Sequence, residues 1–210
     1  AAMSGTSIAP AEPVEFSTIS FRLLRGDDEG ALRTLFHNLS PRSRYSRFHG
    51  QVSELSDATW RYLCEVDGVD HVAIGAFATA RHGEKLRLVG VARFIRLPAQ
   101  PRRAELAITV LDELQRRGLG TNLLDLLLRL AVHRGIDELI APVLGDNLAM
   151  KRLLQHFGSV APTPEGYLLP ARRLPTGFGG VGTMAESTRR SRRAQATSSG
   201  DDSTRWRRTG

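Results

Sequence analysis

Cysteine is almost missing from this chain: Cys64 is the only one. A single thiol excludes an internal disulfide framework and any zinc site built from several cysteines. Six histidines, at positions 37, 49, 71, 82, 133 and 156, show no H-x-H or H-x-x-x-H spacing. Metal catalysis is therefore not expected. No apolar run approaches the ~18 residues that cross a bilayer. The opening stretch AAMSGTSIAPAEP has no basic patch followed by an apolar segment, so no secretory signal is expected. These absences point to a cytoplasmic protein without a membrane partner. Lysine is scarce too: Lys85 and Lys151 stand against 27 arginines.

The chain has 210 residues and a formal net charge of +7, which at first sight suggests nucleic acid. The distribution weakens that reading. Residues 171–210 hold nine arginines and three acids, while residues 1–170 hold 20 bases and 19 acids. The patterned part is nearly neutral. Residues 1–13 are small, polar and proline-bearing, and 171–210 are dominated by glycine, serine and arginine. Such compositions bury too little apolar surface to offset the entropy of ordering, so both segments are expected to be disordered. Nucleic acid is expected, if at all, only through RRSRR and WRR of the basic tail.

Residues 14–170 carry the periodicity of one domain. VEFSTISFRLL (14–24) reads as a strand. Helical spacing follows from Asp27, and a short helix opens at Ser40-Pro41, with serine as cap and proline in the first turn. A third helix spans 56–66. Strands are expected over 69–80, 86–97 and 102–111. The stretch 119–135 is an apolar helix and should be buried. A strand over 137–144, a helix over 147–158 and a short strand over 165–170 complete the order. An antiparallel meander followed by a strand–helix–strand crossover gives an α/β (α+β) fold. Its sheet is mixed, mostly antiparallel, of six to seven strands, with helices on both faces.

Two glycine clusters bear on chemistry. Gly177 to Gly182 satisfies G-x-G-x-x-G but lacks the strand before and the apolar helix after that dinucleotide binding requires, so it reads as linker. Gln115-Arg116-Arg117-Gly118-Leu119-Gly120-Thr121 follows a strand and opens a buried helix. First-turn N–H groups without partners and the positive end of the dipole suit an anion there. Glycines permit close approach, and Arg116 and Arg117 add forked donors. The third dinucleotide glycine is replaced by Leu123, and no Walker lysine is present. An ordinary strand-to-helix turn is the bland alternative.

At these residues the chain resembles the GNAT acetyltransferase superfamily, whose pyrophosphate motif Q-x-x-G-x-G is matched by Gln115 to Gly120. Ala104 to Val110 resembles that family's fourth strand, and Asn147 to Gly158 its fourth-helix motif. The stretch 22–48 is similar to the acetyltransferase domain of bacterial protein lysine acetyltransferases. The resemblance implies acetyl-CoA as cosubstrate and a primary amine, in that subgroup a protein lysine, as acceptor. It implies a cleft between splayed fourth and fifth strands. Pantetheine would lie on Thr109, Val110 and Leu111, the pyrophosphate in Arg116, Arg117, Gly118, Leu119, Gly120 and Thr121, and Asn147 would reach the cofactor. Lys151 and Arg152 would meet the adenosine phosphate or simply form a solvated face.

An amine must be neutral to attack a thioester, yet a free lysine with a pKa of about 10.4 is mostly protonated near neutrality. Glu105, flanked by apolar residues, is the candidate general base, since burial would raise its pKa. The alternative is a structural Glu105 paired with Arg102 or Arg103. Many family members place a proton-donating tyrosine where this chain has Phe157, as the protein-acetylating subgroup also does; His156 is a surface or capping residue or a donor. Rival readings are a small-amine or antibiotic acetyltransferase and a non-catalytic acyl-CoA-sensing or nucleic-acid-binding module. Arg42, Arg44 and Arg47 on one short helix favour an acidic partner surface.

Overall fold

The computed structural model describes residues 16–80, 86–158 and 160–171. The turn at 81–84 and the segments expected to be disordered lie outside the described residues, except Ala171, which is buried in the core. Seven strands form one sheet: β1 (Phe16–Leu23), β2 (His71–Ala80), β3 (Arg87–Leu97), β4 (Gln100–Val110), β5 (Glu138–Ala141), β6 (Ala161–Thr163) and β7 (Gly166–Pro170). Their order is β1-β2-β3-β4-β5-β7-β6. Every neighbour pair is antiparallel except β4 with β5. That parallel pair needs a crossover, and helix α4 (Leu119–His133) supplies it.

Helices α1 (Glu29–His37), α2 (Pro41–Phe48) and α3 (Asp57–Cys64) lie between β1 and β2 in the chain. Ser40 and Ser56 cap α2 and α3 by accepting the N–H of Ser43 and of Thr59. Phe36 of α1 meets Trp60 of α3 edge-to-face, with centroids 5.6 Å apart. Arg93 on β3 donates to the Leu63 carbonyl of α3, so this helical layer covers the Arg93 face of the sheet. The opposite face carries α4. Its Leu123 lies where a Cβ on Gly90 of β3 would point. Leu119, Leu123, Leu124, Leu127, Leu128 and Ala131 form its buried stripe. Each fully buried leucine contributes roughly 1.5–3 kcal/mol. Helix α5 (Leu148–His156) follows β5, and Leu153 is the nearest atom a Cβ on Gly120 would meet, at 3.4 Å.

Two elements depart from expectation. The strand expected over 137–144 is shorter, because β5 pairs with β4 and β7 only through residues 138–141 and Pro142, with no N–H, ends the ladder. A strand not expected from the sequence, β6, forms as the outer partner of β7. Its Pro162 is tolerated because β6 is an edge strand.

Candidate active site

The site begins where two strands part. β4 and β5 pair at Arg103 with Glu138, Ala104 with Leu139 and Glu105 with Ile140, and nowhere beyond. From Leu106 to Val110, β4 keeps β3 on one side and has an open edge on the other. Glu105 therefore stands at the fork. It is exposed, which corrects the expectation of burial. Alternation sends Ala104 (0 % exposed) and Leu106 (2 %) into the core, and turns Glu105 out on the other face. The alternative pairing also fails. Arg102 binds Asp137, and Arg103 binds Glu138 at 2.5 Å, both across the β4–β5 pair. Glu105 has no hydrogen bond or ion pair among the described residues.

The three residues expected to hold pantetheine differ in what they offer. The Leu111 N–H donates to the Val89 carbonyl, and the Leu111 carbonyl accepts from Leu114. The Thr109 carbonyl is turned toward β3, 3.2 Å from where a Gly90 Cβ would sit. Alternation then turns the backbone groups of Val110 and Ile108, and not those of Thr109 and Leu111, to the open edge. Ile108 could have been found from the sequence only with the strand's hydrogen-bonding parity in hand. The Val110 carbonyl accepts Gln115 Nε2 at 3.1 Å, which leaves its N–H facing the cleft.

At the end of the same strand the chain turns into α4. Arg116 has φ of 58° and Gly118 of 83°, so a left-handed residue that is not glycine sits inside the turn. Such backbone costs of order 1–3 kcal/mol and concentrates at ligand sites. Among the described residues, no hydrogen bond uses the N–H groups of Arg116, Arg117 or Gly118. Leu119, Gly120 and Thr121 form the first helical turn, whose N–H groups have no intrahelical acceptor. Six consecutive amides are thus available to a pyrophosphate. The Arg116 and Arg117 side chains are exposed and unpaired among the described residues. Leu119 is buried and offers its backbone alone.

Of the candidates at α5, Arg152 is exposed, whereas Asn147 and Lys151 each have a partner. Asn147 accepts the Met150 N–H at 3.0 Å and so caps the helix, with its amide hydrogens still to donate. Lys151 donates to the Gly145 carbonyl at 2.7 Å and lies 5.6 Å from the Tyr167 ring. Phe157 ends α5 half-buried against the core, and exposed His156 meets its ring edge-on at 5.3 Å.

One cluster joins the turn to α2. Asp112, between β4 and the glycine turn, accepts the Ser40 N–H at 2.9 Å, and the Ser40 and Ser43 hydroxyls at 2.7 Å each. Gln115 Nε2 also reaches Ser43 Oγ, at 3.2 Å. Burial pulls the Asp112 carboxyl up, but the bonds from Ser40 and Ser43 outweigh it and hold the group below the usual range. A hollow of about 690 Å³ at the far end of β4 and β5 is lined by Arg102, Arg103, Asp137 and Glu138, whose charges are spent on one another. No group of three or more His, Cys, Asp or Glu among the described residues could hold a metal ion.

A sheet that forks beside an anion-receptive turn is the architecture of an acyl-CoA-dependent transferase. Residues 36–158 match the acetyltransferase (GNAT) family. The chain is 33 % identical to acetyltransferase Pat of Mycolicibacterium smegmatis over 152 residues, 70 % of this chain and 44 % of that protein. It is 29 % identical to acetyltransferase PA5475 of Pseudomonas aeruginosa over 142 residues, 68 % of this chain and 75 % of that one. The GNAT domain of S. lividans PAT superposes with a TM-score of 0.63 at 26 % identity, over 77 % of this chain and 97 % of that domain. The chain belongs to the GNAT acetyltransferase family. It spans less than half the length of the Mycolicibacterium relative.

Proposed function

We propose that this chain transfers the acetyl group of acetyl-CoA to a primary amine, a protein lysine, with Glu105 as general base. The observation that carries the reading is the fork. The β4–β5 ladder ends at Glu105, and the same β4 runs on to the glycine turn at Gly118. One strand can therefore hold the thioester between its base and its phosphate cradle. Pantetheine lies along the open edge at Ile108 and Val110. The six amides from Arg116 to Thr121 take the pyrophosphate, aided by both arginine side chains.

Glu105 accepts a proton from the incoming ammonium, directly or through water, which its exposure admits. The freed nitrogen lone pair forms the C–N bond at the thioester carbonyl. The resulting oxyanion is met by the edge N–H nearer Glu105, that of Ile108. Collapse breaks the C–S bond, the nitrogen gives up its second proton to become the amide, and the departing CoA thiolate takes up one proton, while Glu105 returns the other to solvent. Phe157 cannot donate that proton, and a thiol pKa of about 8.5 makes a strong acid unnecessary. The reading places the enzyme in the cytoplasm; no helix among the described residues is long and apolar enough to cross a membrane.

The test is acetyl-CoA with lysine-bearing protein and peptide panels, read by thiol release and by mass spectrometry of the acceptor. Stoichiometric thiol and N-acetyl-lysine are expected. Acetyl-CoA binding without acetylated lysine in any panel would remove the lysine assignment.

A further inference from the structure

We propose that Arg47 and Arg93 form an anion subsite beside Glu105, so that the acceptor is a lysine with an acidic side chain next to it. The inference rests on the lysine reading above and names the sequence around that lysine. Register sets the geometry. Glu105 stands opposite Ile95 on β3, and Ile95 opposite His71 on β2. Arg93 stands opposite Ala107 and Ala73, so it shares the sheet face of Glu105 and is its diagonal cross-strand neighbour.

Arg93 is the most buried base of the described residues, 3 % exposed. Its Nη1 donates to the Leu63 carbonyl at 2.9 Å and lies 3.0 Å from His71 Nε2. Its Nε and Nη2 have no acceptor among the described residues, and neither is sealed from solvent. Arg22, Arg33, Arg87, Arg96, Arg102, Arg103 and Arg129 each reach a carboxylate. Arg93, with the least water, reaches none within 4 Å among those residues.

Arg47, half-buried in the last turn of α2, adds a second cation. It lies near enough to feel the charge of Glu105, and Arg93 feels the charge of Arg47. Burial and this repulsion push the Arg93 guanidinium down to about 9, and burial also pushes Arg47 down. Two neighbouring like charges with spare donors, one of them cut off from water, repel each other, and Glu105 is a single anion beside the two, so a further carboxylate would be held there. A carboxylate is the fork-shaped match for a guanidinium. The ammonium goes to Glu105 and the neighbouring carboxylate to the arginine pair, which also orients the amine toward the fork.

The test uses the full chain and three peptides, each with one lysine flanked by Asp, by Asn or by Arg. Rates are measured with acetyl-CoA, and peptide binding to CoA-saturated protein by calorimetry. The Asp peptide should exceed the Asn peptide in kcat/KM or affinity by about tenfold or more, the worth of one charge-assisted contact. The Arg peptide should be the poorest. Arg47→Gln, on a half-exposed helix, should narrow the Asp-to-Asn ratio, and Arg93→Lys should narrow it further. Selective binding of the Asp peptide without turnover keeps the subsite and removes the lysine-acetylation reading. Equal treatment of the three peptides, no peptide binding, or a ratio unmoved by Arg47→Gln overturns the proposal.

Discussion

Glu105 shows how far a single residue can be read. Its place on a strand before a glycine turn was legible, because strand and turn each have a local pattern. Its exposure was not, since apolar flanks on a strand face the opposite side of the sheet from the residue between them. The base role now rests on the fork and not on desolvation. Glu105→Gln should leave acetyl-CoA affinity unchanged, as the cofactor is held by amides and the turn. The rate near neutrality should fall about 10²–10⁴-fold, and the loss should shrink as pH rises and the amine deprotonates unaided. Rate against pH for both proteins checks this; a variant within about threefold of wild type at every pH would exclude the base role. His71 was read only as a non-ligand. It is 7 % exposed, and burial, then the Arg93 charge, push it down to about 4. Between about pH 6.5 and 4 the unfolded chain binds this proton and the folded chain does not. Stability should therefore fall as pH drops through that window, by roughly 3 kcal/mol at its end. Urea unfolding at pH 7 and at pH 5 checks this, and His71→Gln should flatten the dependence.

At the scale of elements, α2 is the piece whose placement the sequence could not supply. Its start was legible from Ser40-Pro41, and its three arginines were visible as a charged face. Nothing local ties it to a turn some 70 residues later; only the fold brings Asp112 to Ser40 and Ser43. That carboxylate with Gln115 couples the N-terminus of α2 to the glycine turn, and Arg47 rides on the other end of the same helix. Asp112→Ala should cost about 0.5–1.5 kcal/mol, because the Ser40 and Ser43 donors it leaves are exposed and water can take them up. It should raise the acceptor KM more than it weakens acetyl-CoA, because the amides from Arg116 to Thr121 do not depend on it. Asp112→Asn, which keeps the acceptor oxygen, should recover part of both. Equal effects on the two substrates would show that the cluster only stabilises the fold.

For the molecule as a whole, the order of elements and the α/β class were legible because 3.6- and 2-residue periods alternate cleanly between residues 16 and 170. Edge strand β6 was not, since Pro162 within it and Pro164 just after it argue against a strand, and only pairing to β7 makes it one. Charge also separates at this scale. Six of the seven net positive charges belong to residues 171–210, whereas the buried cluster runs from Ile19 to Ala171. Residues 176–210 contain few of the large apolar side chains that fill that cluster. Removing them should change neither the melting temperature, beyond about 2 °C, nor kcat/KM for a short lysine peptide, because no residue of the fork or the turn lies there. Salt sensitivity should change instead. Nonspecific attraction to polyanions grows with each basic contact, so the shortened chain should leave heparin at lower salt. A melting temperature lowered by several degrees would show that the basic segment completes the core, and the separation of charge from fold would then be wrong.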